Sequence, residues 1–288
     1  MANVTKRAAE TTTVTAMTSL AELSYAVPAQ FASAAYCSPS TISSWKCGAN
    51  CNALPGFVTY GAGGDGSDIQ YWYVGYDATH LNAIVVGHQG TNPSSLIADL
   101  TDLDIIFEKL DQTHFPGVPS TLEAHQGFLI AQSRPAAAVL SAVKAASAAT
   151  GSKHVYIVGH SLGGAIALLD AVYLPLHLPG FTFSTSVFGL PRVGNPAFAD
   201  YVDAHVTNFA HITNKLDPIP ILPPRSLGYA HPSNEKHIVT TGTADGDWYA
   251  CDGHDNTSVD CSTGAVPDIL ASHEADHDGP YGTIRMGC

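Results

Sequence analysis

The chain has 288 residues, of which 45% are apolar and 13% charged, and its formal net charge at pH 7 is −13. These values are typical of a compact globular protein and exclude a largely disordered one. With 12 Lys and Arg in all, the sequence has no basic cluster to neutralise a phosphate backbone, so we expect no nucleic-acid partner. The acidic surface would also be repelled by anionic lipid, so contact with lipid would have to be apolar.

The N-terminal residues are polar and rich in Thr. We predict a flexible N-terminal segment over residues 1–18 and a single domain over residues 19–288, since no linker or repeat interrupts the latter. Lys6-Arg7 is typical either of a dibasic processing site that ends a pro-segment or of an ordinary charged pair in a loose terminus. Residues 1–20 have no apolar core, so we predict no signal peptide within them.

Predicted strands and helices alternate along the rest of the chain. The first helix, 19–36, is rich in Ala and contains Pro28, where we predict a kink. The most apolar stretch, 165–178, is interrupted by Asp170 and Pro175 and is too short to span a membrane. The other predicted elements are strands 70–76, 82–86, 153–158, 183–188 and 209–213 and helices 126–149 and 165–174.

This alternation predicts the fold class. Strand 153–158 (KHVYIV) is short and β-branched, which is typical of a strand that is buried on both faces of a parallel sheet. We therefore predict an α/β fold with a mostly parallel central sheet and helices on both of its faces. From Gly228 onward the pattern is irregular.

The cysteines are even in number and lie near the two ends of the chain. This arrangement favours disulfides formed in an oxidising compartment. Zinc is the alternative, since the spacing Cys47-x3-Cys51 suits a metal, but no second matching pair follows. We therefore predict disulfides and no metal or cofactor. The six residues are Cys37, Cys47, Cys51, Cys251, Cys261 and Cys288.

Residues 159–164 read Gly-His-Ser-Leu-Gly-Gly and contain the pattern G-x-S-x-G. The bare pattern is weak evidence in a chain with 26 glycines. Here, however, it follows a buried strand and opens a buried helix, which is the setting of a nucleophile elbow. Ser161 would sit on a sharp turn, and the helix N-terminus would direct amides at a developing oxyanion. The alternative is a Gly-rich turn with a buried Ser.

A serine nucleophile needs a base, and the base needs a carboxylate to orient it. In sheets that carry such an elbow, the order along the chain is Ser, then Asp or Glu, then His. Asp217 follows strand 209–213, at the kind of strand end where such sheets place catalytic groups. His277 is the candidate base, but spacing alone does not choose it over His273 or His231.

Residues 273–277 also match the zinc-protease pattern H-E-x-x-H. That motif needs His273 and His277 on one face of a continuing helix, near a third ligand. Gly279-Pro280 would end any helix just after the motif, and no clear third ligand follows. A zinc metalloprotease that uses His273, Glu274 and His277 is therefore the remote alternative.

Several segments, in this order along the chain, together resemble the fungal class 3 lipases. The similarity runs from about residue 20 to the C-terminus and is closest to the basidiomycete-type members, which include lipases and some hydroxycinnamate esterases. Its segments are AHQGF at 124–128, GHSLGG at 159–164, GLPRVGN at 189–195, DPIPILPP at 217–224 and DH-x3-Y at 276–281.

The resemblance implies an α/β-hydrolase fold with Ser161 as nucleophile, His277 as base and Asp217 as the carboxylate that orients the base. It also implies an oxyanion hole formed by the amides of Leu162 and Thr91. Asp99 would hold the Thr91 hydroxyl, and Ile219 and Leu222 would line an acyl pocket. The resemblance also implies a lid helix over 94–98, with the residues Ser94, Ser95, Leu96 and Ile97.

The resemblance further implies the disulfides Cys37–Cys288, Cys47–Cys51 and Cys251–Cys261. The chain departs from the family at His88-Gln89-Gly90, where Phe-Arg-Gly is common, and in a lid that is one residue short and lacks a Trp. It also has Asp278 after the candidate base, where lipases are often apolar. These departures bear on the substrate range and the lid rather than on the triad.

We therefore expect a secreted carboxylic ester hydrolase that forms an acyl-enzyme and acts on triacylglycerol as a monomer at a lipid–water interface. A feruloyl or other hydroxycinnamate ester is the alternative substrate. Asn3 and Asn256 begin the acceptor sequons for N-glycosylation. We expect Asn256, between Cys251 and Cys261, to lie in an exposed loop and to carry a glycan.

Overall fold

The computed structural model describes residues 13–91, 93–101 and 106–288, without the side chains of 93, 94, 99 and 101. Asn3 and Lys6-Arg7 lie outside the described residues. The strands are β1 (Val14–Ala16), β2 (Val58–Gly63), β3 (Trp72–Asp77), β4 (Ala83–His88), β5 (Phe107–Lys109), β6 (Glu123–His125), β7 (His154–His160), β8 (Thr182–Phe188), β9 (Phe209–Asn214), β10 (Glu235–Ile238) and β11 (Trp248–Cys251).

The helices predicted over 126–149 and 165–174 are present, and further helices lie between the strands and after the last of them. Single 3-10 turns lie at Ile219–Ile221, Arg225–Leu227, Ile269–Ala271 and Glu274–Asp276. The α-helices are α1 (Ser19–Leu23), α2 (Ala26–Ala34), α3 (Pro39–Ile42), α4 (Ala49–Asn52), α5 (Pro93–Thr101), α6 (Gln126–Thr150), α7 (Leu162–His177), α8 (Pro196–His205) and α9 (Ser262–Ala265).

Among the described residues, the main sheet has the strand order β1-β11-β10-β9-β8-β7-β4-β3-β2. The five central strands, from β10 to β4, are parallel, and antiparallel strands extend the sheet at both edges. The parallel strands therefore end at one edge of the sheet, where the loops after β4, β7 and β9 meet. This is the α/β-hydrolase architecture, with a mostly parallel sheet and helices on both faces.

Alternate side chains of the central strands belong to two apolar layers, one on each face of the sheet. On β4, Ile84 and Val86 join the layer that contains Leu168 of α7, whereas Val85 joins the layer that contains Phe31 of α2. Helices on both faces explain why β4 is buried along its whole length and lacks polar alternation. Each buried side chain of this size stabilises the fold by about 1.5–3 kcal/mol.

The N-terminal prediction needs two corrections. The expected single helix 19–36 is two helices that break at Ser24 and Tyr25, and Pro28 causes no kink. Pro28 is the third residue of α2, where a backbone N–H has no partner within the helix, so proline is tolerated. Residues 14–16, assigned to the flexible segment, form β1 and pair with β11 at one edge of the sheet.

The region after Gly228 is also more regular than predicted. It contributes β10 and β11, which extend the parallel core of the sheet and pair with each other in antiparallel fashion. Both strands have four residues, which is too short for a clear periodic pattern. None of the described helices is both long and apolar enough to cross a membrane.

All six cysteines lie in the described part of the chain, and they form three disulfides. Cys37 pairs with Cys288, Cys47 with Cys51 and Cys251 with Cys261, which are the pairs that the resemblance implies. The first of them joins the loop after α2 to the C-terminal residue.

The expectation that Asn256 lies in an exposed loop is wrong. Its side chain is fully buried, and the Nδ2 atom, which would carry a glycan, donates hydrogen bonds to the carbonyls of Thr13 (3.3 Å) and Asp252 (3.0 Å). Its Oδ1 atom accepts a hydrogen bond from the Ser258 amide. The folded chain therefore has no room for a sugar at this position.

Candidate active site

Ser161 lies on a sharp turn between β7 and α7. Its backbone has φ 60° and ψ −130°, in a region that L residues rarely adopt, and its amide donates to the Phe188 carbonyl (2.9 Å). Glycines on either side permit the turn. A Cβ at Gly159 would overlap the backbone of Gly163, and one at Gly163 would overlap the carbonyl of His88. The G-x-S-x-G spacing is thus a steric requirement of this turn.

Asp217 and His277 come together beside this turn although sixty positions separate them. The His277 Nδ1 atom lies 2.9 Å from Oδ2 and 3.0 Å from Oδ1 of Asp217. The Ile219 amide also donates to this carboxylate (2.8 Å). Because Nδ1 faces a carboxylate, it is the nitrogen that donates, which leaves Nε2 as the proton acceptor that a serine base needs.

Ser161 and His277 are both fully buried. Among the residues that the structure describes, neither the Ser161 hydroxyl nor His277 Nε2 has a hydrogen-bond partner. Both atoms are therefore buried without a partner, and catalytic hydrogen bonds are often long or absent until substrate binds. Gly189 gives the imidazole its room, since a Cβ there would come within 2.8 Å of the ring.

The two residues that the resemblance implies for an oxyanion hole, Leu162 and Thr91, lie in the segments next to Ser161. Leu162 is the first residue of α7, so its amide has no acceptor within the helix. Gly90 packs against Ser161, because a Cβ at Gly90 would lie 2.9 Å from the serine Cβ, and Thr91 follows it half-buried. The side chain of Asp99, which the resemblance places on the Thr91 hydroxyl, lies outside the described atoms.

The apolar residues predicted for the acyl pocket and the lid belong to one large apolar cluster. Ile219 and Leu222 are buried, and they belong to the same cluster as Leu96 and Leu100 of α5. Ile97 packs against that cluster and stays half-buried. The apolar face of α5 is therefore turned towards the interior of the protein.

The helix that carries these residues is longer than predicted. It runs over Pro93–Thr101 instead of 94–98. Ser95 is exposed, and the side chain of Ser94 lies outside the described atoms. The longer helix adds Leu100 to the inward face, one turn beyond Leu96, which the short prediction missed.

Sequence reasoning also missed Arg192, which holds the loop after Asp217. This buried side chain forms an ion pair with Asp255 (2.7 Å) and donates to the carbonyls of Ile221 and Pro223. Burial alone would raise the pKa of Asp255, but the charge of Arg192 and its hydrogen bonds lower it below its ordinary value. The signal was present, since an Arg in the apolar GLPRVGN segment requires an anion.

The competing candidates for the base do not reach Ser161. His231 is buried, and its Nε2 lies 2.8 Å from the Pro220 carbonyl; burial, together with the nearby His211, lowers the pKa of His231 to about 3. His273 is 66% exposed and faces Asp276. His231 therefore braces the loop after Asp217, and His273 lies at the surface.

The zinc-protease alternative does not fit the backbone. Residues Glu274–Asp276 form a single 3-10 turn, so His273 and His277 do not share a helix face. His277 Nδ1 is also committed to Asp217. The one cluster of metal-ligating side chains among the described residues contains Cys251 and Cys261, which are bonded to each other.

Comparison with known proteins finds lipases. The family model Lipase (class 3) matches residues 85–227. A secreted mono- and diacylglycerol lipase of Malassezia globosa is 38% identical over 205 residues, which are 71% of this chain and 65% of that protein. The chain thus spans about 65% of the length of the first curated relatives it matches.

Two solved structures cover nearly the whole chain. A triacylglycerol lipase whose catalytic centre is a serine protease triad has a TM-score of 0.79 at 25% identity and covers 95% of this chain and 98% of its own. Lipase II from Rhizopus niveus has a TM-score of 0.78 at 27% identity, and the match covers 96% of this chain and 99% of that lipase. Together with the elbow and the sheet order, these matches show that the chain belongs to the class 3 lipase family.

Proposed function

We propose that this protein is a secreted serine ester hydrolase that cleaves acylglycerols, and that it acts as a monomer at a lipid–water interface. The observation that carries the proposal is the Asp217–His277 pair, packed beside the strained elbow of Ser161. Secretion is supported by three disulfides and by the secreted relatives. The acylglycerol substrate is supported by the lipases of the same family.

The reaction follows from this geometry as two acyl transfers. Ser161 attacks the ester carbonyl while His277 Nε2 takes its proton, and Asp217 stabilises the imidazolium that forms. The amides of Leu162 and Thr91 hold the oxyanion. His277 then gives its proton to the departing alcohol, and in the second transfer it activates water to hydrolyse the acyl-enzyme.

A comparison of substrates tests the proposal. Initial rates are measured on tributyrin, emulsified triolein and methyl ferulate, with and without a chelator and a serine-directed phosphonate. We expect the two glycerides to be hydrolysed faster than methyl ferulate. We also expect the phosphonate to abolish activity and the chelator to leave it unchanged. Faster cleavage of methyl ferulate would move the assignment to a hydroxycinnamate esterase. Inhibition by the chelator would contradict the serine mechanism.

The α5 helix gives a second test, because its buried side chains belong to the same apolar cluster as the proposed acyl-pocket residues Ile219 and Leu222. Opening would expose apolar surface to water but could bury it in lipid, and each Leu or Ile involved contributes about 1.5–3 kcal/mol. We predict modest interfacial activation. Leu96→Ser combined with Ile97→Ser should lower activity on emulsified triolein by about tenfold or more relative to dissolved p-nitrophenyl butyrate.

The control replaces an exposed apolar residue on another helix, Ile130→Ser on α6, and should leave both activities unchanged. Circular dichroism and thermal unfolding of each variant separate a lid effect from misfolding. An equal loss of both activities in the Leu96 and Ile97 double variant would mean that α5 is a fixed part of the core.

A further inference from the structure

His160 is the residue before the candidate nucleophile, and it is fully buried beside the candidate base. Its ring centroid lies 4.4 Å from that of His277. Both of its ring nitrogens have partners. Nε2 lies 2.8 Å from the backbone carbonyl of His277, and Nδ1 lies 2.6 Å from the hydroxyl of Tyr36. None of these contacts takes part in the proton transfers described above.

The partners fix where the protons are. A carbonyl oxygen can only accept a hydrogen bond, so His160 Nε2 carries a hydrogen and donates it to the backbone carbonyl of His277. Burial, and then the neighbouring His277, lower the pKa of His160 well below its ordinary value, so the ring is neutral. Nδ1 must therefore accept a hydrogen bond, and Tyr36 donates it. Burial raises the pKa of Tyr36 above its ordinary value, which keeps that hydroxyl protonated.

Tyr36 connects this pair to the oxyanion loop. Its hydroxyl packs so closely on Gly90 that a Cβ there would overlap it, and Thr91 is the next residue. At the other end, the His277 carbonyl accepts a second hydrogen bond from the Tyr281 hydroxyl (3.0 Å). A chain of polar contacts thus runs from the Gly90-Thr91 loop through Tyr36 and His160 to the backbone of His277.

We propose that Tyr36 and His160 are positioning residues, which hold the His277 backbone, and hence its imidazole, at a fixed distance from Ser161. The inference rests on the proposed ester hydrolysis. His160 and Ser161 are consecutive residues of one turn. A hydrogen bond from His160 to the base therefore fixes the position of the base relative to the nucleophile. A misplacement of about 1 Å between reacting groups lowers a rate by about a hundredfold.

The first test removes the Tyr36 hydroxyl. Tyr36→Phe should lower kcat on p-nitrophenyl butyrate by about tenfold to a hundredfold, with KM and melting temperature close to the wild-type values. The matched control is Tyr73→Phe, which deletes a buried hydroxyl that donates to the Phe31 carbonyl (2.8 Å) away from the site. We expect its kcat to stay at the wild-type value. A wild-type kcat in Tyr36→Phe, or an equal loss in the control, would overturn the proposal.

The second test separates the two hydrogen bonds of His160. His160→Gln keeps an N–H that can reach the His277 carbonyl, whereas His160→Leu keeps the bulk without a donor, so the Gln variant should retain at least about tenfold more kcat. Nitrogen-15 NMR of the wild-type protein should show His160 neutral with the hydrogen on Nε2. The opposite tautomer would refute the chain of contacts. This spectrum does not depend on activity. If the protein cleaved no ester, the proposed function would be wrong, but the spectrum would still test the hydrogen bonds of His160.

Discussion

Ser161→Ala is expected to lower kcat on a dissolved ester by about 10⁴- to 10⁶-fold, because no other hydroxyl can form the acyl-enzyme at the elbow. His277→Ala should cost a similar factor, since the serine hydroxyl then has no base. Asp217→Asn should cost about 10⁴-fold, because an amide no longer holds the imidazole in the required tautomer. Each kcat is measured on p-nitrophenyl butyrate beside a melting curve that shows the fold intact.

Non-additivity makes this prediction specific. The three side chains act as one unit, so Ser161→Ala combined with His277→Ala should be little worse than either alone. The matched control is His273→Ala, four positions before the base and exposed, which should keep wild-type activity. An active His277→Ala protein together with an inactive His273→Ala protein would reverse the choice of base.

Removal of the Cys37–Cys288 disulfide is expected to lower the free energy of unfolding by about 5 kcal/mol. This bond closes a loop of 251 residues, so its loss restores much entropy to the unfolded chain. The variant is Cys37→Ser with Cys288→Ser, and the measurement is urea unfolding at equilibrium, followed by tryptophan fluorescence and by circular dichroism.

Cys47→Ser with Cys51→Ser is the matched control, because it also removes one disulfide but opens a loop of only four residues. The same entropy argument gives about 2 kcal/mol for this bond. Equal losses in the two double variants would contradict the loop-closure explanation. A free thiol in the native protein would refute the pairing itself.

The parts of this site that could be predicted from sequence are those that local patterns encode. The elbow needs a buried strand, two glycines and a buried helix within about twenty positions, and all of these are visible in the chain. Asp217 could be proposed because it closely follows a recognisable strand. His277 could not be separated from His231 or His273 until their surroundings were known, since burial and partners distinguish them and spacing does not.

What could not be predicted depends on distant pairing. Asn256 looks accessible in sequence, yet one of its hydrogen bonds goes to Thr13, 243 positions away. That bond lies next to β1, a three-residue strand with no periodic signal of its own. Arg192 and Asp255 form a buried pair across 63 positions. In each case the partner is supplied by tertiary contacts, so local propensity carries no information about it.

The full burial of Ser161 also affects how covalent inhibitors report on this protein. A bulky phosphonate reaches the serine only in molecules whose site has opened, so the observed labelling rate is the intrinsic rate multiplied by the opened fraction. Micelles that favour opening would speed labelling without changing the chemistry of the nucleophile. Protein left unlabelled after a brief exposure therefore reflects a slow labelling rate, and it does not measure how many molecules are inactive.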